Sequence, residues 1–130
     1  MKDYIRAGRY DGEIEYYQDG YGPTYIQLSD NPTVWELDPK GVEMDGENED
    51  FANYYYWDLV NSACKQFEQK SGVEVYLLGR SGRHVCVEDN AQNRRRYRSL
   101  CNLQQKLEKW VVTTFNNGLK DELNYLDDSQ

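Results

Sequence analysis

Six arginines fall between residues 80 and 98: Arg80, Arg83, Arg94, Arg95, Arg96 and Arg98. Guanidinium groups bind phosphate and carboxylate through paired N–H donors, so these are the first side chains with an evident chemistry. Arg80 and Arg83 belong to Gly79-Arg80-Ser81-Gly82-Arg83-His84, where two glycines permit a tight turn with exposed backbone N–H groups. Such a turn suits a phosphate or a carboxylate. Arg94 and Arg98 are four apart and share a helix face, whereas Arg95 and Arg96 point elsewhere. A strand of about five residues lies between the turn and that helix, holding the two groups roughly 15 Å apart unless both fold to one side. In a chain this acidic the arginines also have carboxylates of their own to pair with.

The second candidate is acidic. Glu36, Asp38, Glu43, Asp45, Glu47, Glu49 and Asp50 are accompanied only by Lys40. Read as a polar loop without periodicity, this segment displays carboxylates that can imitate a row of phosphates and dock on a basic surface. Its oxygen ligands lack the EF-hand spacing, which argues against calcium.

Catalytic and metal readings are weaker. His84 and Cys86 are two apart on an expected strand and share a face, and Cys64 and Cys101 sit on expected helices. Without CxxC-like spacing no metal is expected: Cys64 and Cys101 read as small core residues, and His84 and Cys86 are left as weak zinc candidates. Ser81 and Asp89 near His84 do not make a triad by spacing alone. No P-loop, GxSxG, HExxH or dinucleotide fingerprint occurs, and neither an enzyme nor a cofactor is expected.

These side chains need a scaffold. Residues 13–17 and 25–29 read as an antiparallel hairpin around a Gly- and Pro-containing loop, and Val34–Leu37 offers a third strand. Ala52, Tyr56, Leu59, Val60, Ala63 and Phe67 recur at helical spacing from about Asp50 to Lys70, with Asp50 or Asn48 as cap and Gly72 at the end. Residues 73–78 and 84–88 flank the GRSGR turn as a second hairpin. Asp89-Asn90-Ala91-Gln92 resembles a capping box, and a second helix runs to about Asn117-Gly118 on a stripe of Leu100, Leu103, Leu107, Trp110, Val111 and Thr114. Residues 119–128 add at most a frayed turn. The expectation is an α+β fold, one domain over 1–130, with an antiparallel sheet of hairpins and two amphipathic helices on one face.

Composition sets the class of partner. The formal net charge is −8, which opposes generic binding to nucleic acid or anionic lipid and favours a basic protein. The charge is uneven. Residues 1–79 hold 16 acidic against 6 basic residues, and residues 80–98 reverse this to 2 against 6. Met1-Lys2-Asp3-Tyr4 opens into polar sequence without a signal-like segment, and apolar runs are too short to span a bilayer. Three widely spaced cysteines are no disulfide framework and suit a reducing cytoplasm.

The segment GRSGRHVCVEDNAQNRRRYRSL resembles small proteins carried by phages and mobile elements of gut and oral bacteria. In size, acidity and tyrosine content the chain resembles anti-CRISPR proteins that inhibit Cas9-type effectors. That resemblance implies a cytoplasmic inhibitor in a bacterial host, blocking DNA binding or loading through a basic channel. The alternative is a phage or mobile-element accessory protein that binds nucleic acid through the arginines.

Overall fold

The computed structural model describes residues 13–128, with side chains described through residue 124; the polar opening at residues 1–4 lies outside them. Strands β1 (Glu15–Gln18) and β2 (Thr24–Asp30) form the first hairpin, and β3 (Val75–Leu78) and β4 (His84–Glu88) the second. The hairpins join side by side into one antiparallel sheet of order β1-β2-β4-β3. Register places Tyr16, Ile26, Val87 and Val75 in one row across all four strands. A bulge between Gln27 and Ser29 leaves the alternation of β4 intact.

Helix α1 (Gly46–Ser71) links the hairpins, and a short α2 (Ala91–Arg95) leads into a long α3 (Tyr97–Asp128). Asp45 occupies the N-cap position of α1, and Gly72 ends it in the left-handed region at φ 71°. Ala52, Tyr56, Val60, Ala63 and Phe67 form its buried stripe, facing Leu100, Leu107, Val111, Phe115 and Leu119 of α3. Both stripes rest on the face of the sheet that carries Ile26 and Val87. This is the α+β arrangement that the periodicities predict.

Five details differ from expectation. Helix α1 begins at Gly46 with Asp45 at its N-cap, so Asn48 and Asp50, the expected caps, lie inside its first turns. Val34–Glu36 is a 3-10 turn rather than a strand, because the Thr33 N–H donates to Glu36 Oε2 at 2.6 Å and closes the chain on itself. The cap of α2 is Asn90, not Asp89: its side chain accepts from Asn93 N at 2.8 Å. Arg96, at φ −93° and ψ 6°, breaks the expected single second helix into α2 and α3. Beyond Gly118 the chain stays helical, because Leu119 is fully buried and continues the stripe, while Trp110 turns outward at 38% exposure. Among the described residues no helix is long and apolar enough to cross a membrane.

Candidate functional site

The acidic segment is not a floating loop. Leu37, Pro39, Val42 and Met44 turn inward, while Asp38, Lys40, Glu43 and Asp45 stay exposed. Asn116 of α3 pins the segment twice: its Oδ1 accepts Asp38 N–H at 3.0 Å, and its carbonyl accepts Lys40 N–H at 2.9 Å. The result is a strap with carboxylates on its outer side. Glu47, Glu49 and Asp50 belong to the first turns of α1, where the helix dipole favours negative charge. Tyr54, 70% exposed, follows one turn after Asp50. It puts an aromatic ring beside the acidic display, in the phase opposite to buried Tyr56. Among the described residues, Asp38, Glu43, Asp45, Glu47 and Asp50 make no ion pair. Glu36 is different, since its carboxylate is tied to Thr33 and lies 3.6 Å from Arg83. The Thr33 N–H hydrogen bond holds its pKa below the usual carboxylate value, with a smaller contribution from Arg83.

The arginines are dispersed and mostly matched. Arg94 donates to Asp89 Oδ1 at 2.7 Å, and Arg98 grips both oxygens of Glu13, with Nε to Oε2 at 2.8 Å. Arg96 donates to the Ser71 carbonyl at 2.9 Å, closing the end of α1 against the α2–α3 break. Arg80 and Arg95 are exposed and make no ion pair among the described residues. Strand β4 runs from the Arg80–Arg83 turn toward α2, so the two arginine groups sit at opposite ends of it. One six-arginine site does not form.

His84 and Cys86 do share a face, but they are not joined by a third ligand; among the described residues no set of three His, Cys, Asp or Glu side chains could hold a metal. His84 Nδ1 lies 2.6 Å from Asp30 Oδ1, a partner 54 residues away, whereas Asp89 is engaged by Arg94. Cys86 is fully buried, and burial pushes its thiol pKa up to about 12, an inert core cysteine. Gly79 sits against the imidazole at φ 82° and ψ −177°, backbone that only glycine adopts readily. A Cβ there would lie 2.4 Å from His84 Cδ2. Gly79→Ala is expected to cost about 1–3 kcal/mol in urea unfolding and to disturb the His84–Asp30 pair, seen as a shifted imidazole resonance.

Next to this turn the molecule is concave. A cleft of about 500 Å³ opens between residues 31–35, the N-terminal half of α1 and the β3–β4 turn. Trp35, Trp57 and Val34 line it with apolar surface, and Arg80, Ser81, Arg83 and His84 line its other side. Asn31 Nδ2 and Tyr56 Oη are buried on its lining and have no hydrogen-bond partner among the described residues. Burial raises the Tyr56 pKa far above the phenol range, so the hydroxyl stays protonated. Sequence reasoning gave Asn31, Trp35 and Trp57 no site role and placed Tyr56 only in the apolar stripe of the first helix. Its one usable hint was the turn GRSGR, which does line the cleft.

Glu108 on α3 is half-buried, and its pKa is raised above 4.5 by burial and by the charge of Asp30. A carboxyl with a raised folded-state pKa favours folding below its unfolded value and loses that contribution as pH rises through the folded value. Glu108→Gln is therefore expected to raise the melting temperature by a few degrees near neutral pH and to leave it unchanged in acid, as thermal unfolding at the two pH values would record.

Comparison with protein families, with curated proteins and with solved structures finds no match to this chain.

Proposed function

We propose that this chain is a non-enzymatic inhibitor that docks its acidic strap and the start of α1 on the basic nucleic-acid-binding surface of an effector of Cas9 type. The observation that carries this reading is the contrast in charge pairing. Asp38, Glu43, Asp45, Glu47 and Asp50 are exposed and unpaired among the described residues, whereas Arg83, Arg94 and Arg98 have carboxylate partners on the protein itself. With a net charge of −8, the field reaching solvent is mainly that of the carboxylates. Fixing the strap through Asn116 reduces the entropy lost when it meets a partner. Tyr54 supplies an aromatic anchor inside the acidic rim, a composition found at the centres of protein interfaces.

The alternative, nucleic-acid binding through the arginines, loses support because they are split between two ends of β4 and three of the six are paired with the protein's own carboxylates. Competition decides between the two. Purified protein is mixed with guide-loaded Cas9-type effectors, and binding and cleavage of target DNA are followed. Inhibition relieved by excess DNA supports the reading; unchanged binding and cleavage across the panel, with a direct shift of DNA by the protein itself, sinks it.

A further inference from the structure

We propose that the cleft beside the β3–β4 turn is a binding site for a nucleotide, with its base on the indole-lined side and its phosphate at the arginine rim. Three features of the cleft each select a part of that ligand. Trp35 and Trp57 offer flat aromatic surface, on which any nucleobase can stack. Asn31 and Tyr56, 6% and 1% exposed, bring the Nδ2 and Oη groups that have no partner among the described residues. A buried donor left unpaired is costly, so a ligand whose entry turns these two side chains toward it must carry acceptors on its ring. A plain aromatic carboxylate would fill the apolar space and leave both donors unmet, whereas the ring carbonyl and imine acceptors of a base would satisfy them.

The rim supplies the charge. Arg80 is exposed and makes no ion pair among the described residues, and Arg83 is only loosely held, at 3.6 Å from Glu36. Arg80 takes the phosphate first, and Arg83 can swing from Glu36 to join it. Ser81, held at φ 63° between Arg80 and Gly82, adds a hydroxyl to the same turn. A volume of about 500 Å³ is ample for one nucleotide. None of the five exposed carboxylates of the strap and α1 lines the cleft, so the two sites stand or fall separately.

The test is titration of the intact protein with AMP, GMP, CMP and UMP, followed by tryptophan fluorescence and calorimetry. Inorganic phosphate and a short 5′-phosphorylated single strand are titrated alongside. Saturable binding of at least one mononucleotide is expected with a Kd under about 1 mM, and phosphate alone should bind at least about tenfold more weakly. Tighter binding of the strand would identify the source as a strand end rather than a free nucleotide. Tyr56→Phe should weaken binding by about tenfold while leaving the melting temperature equal or higher, because it removes an unpaired buried hydroxyl. Arg80→Ala should weaken binding and reduce its salt dependence. No saturable binding of any mononucleotide or of the strand, equal binding of free phosphate, or affinity unchanged in both variants would overturn the proposal.

Discussion

Phe115→Ala is expected to destabilise the protein by about 3–5 kcal/mol, a loss at the top of the range for a single truncation. Phe115 is fully buried at the centre of the α1–α3 contact. Its ring stacks on Tyr55 at 5.9 Å and meets Tyr56 edge-on at the same distance. Truncation removes the apolar area of the ring, two aromatic contacts and the support beneath Tyr56, and helices cannot close such a gap without shifting. Urea unfolding monitored by circular dichroism measures the loss. Trp110→Ala, on the outward side of α3, should cost well under half as much. Equal losses for the two would mean that α3 presents a different face to the core.

The second large effect is on binding. The fivefold variant Asp38→Asn, Glu43→Gln, Asp45→Asn, Glu47→Gln, Asp50→Asn is expected to weaken the complex with a basic effector by about a hundredfold. Five exposed charges at about 0.5 kcal/mol each sum to roughly that factor. Stability should change little. Asn is as good an N-cap as Asp at position 45, and relief of mutual repulsion offsets the helix-dipole contribution lost at 47 and 50. Association rate should fall more than dissociation rate rises, because exposed charges act mainly by steering. Biolayer interferometry of the two proteins resolves the rates.

Features set by neighbours in sequence were readable from the chain. The two hairpins follow from Gly- and Pro-bearing turns, the stripe Ala52–Tyr56–Val60–Ala63–Phe67 follows a 3.6 period, and Gly72 ends α1 where a left-handed residue is needed. The strap was harder to read. Its inward residues Leu37, Pro39, Val42 and Met44 lose strict alternation at Gly41, and the Asn116 bonds that hold it come from far along the chain. Partners of the arginines were illegible for the same reason: Arg98 finds Glu13 across 85 residues, and Arg96 finds Ser71 across 25. Tyr54, Tyr55 and Tyr56 look alike in sequence, and only the phase of α1 sends the first to solvent and the last to the core. The burial of Tyr56 was readable from the helical period, but the unpaired state of its hydroxyl and of Asn31 Nδ2 was not, because an unpaired donor is defined by what the rest of the fold fails to bring near it.

The claim that the acidic strap docks on a nucleic-acid-binding surface is tested most directly by the equilibrium affinity for a guide-loaded Cas9-type effector at rising salt. Wild type and the fivefold neutral variant are measured side by side. The account predicts wild-type binding that weakens steeply with salt and is displaced by target DNA, with the variant much weaker at low salt and nearly salt-independent. Equal affinities and equal salt slopes for the two proteins would contradict it.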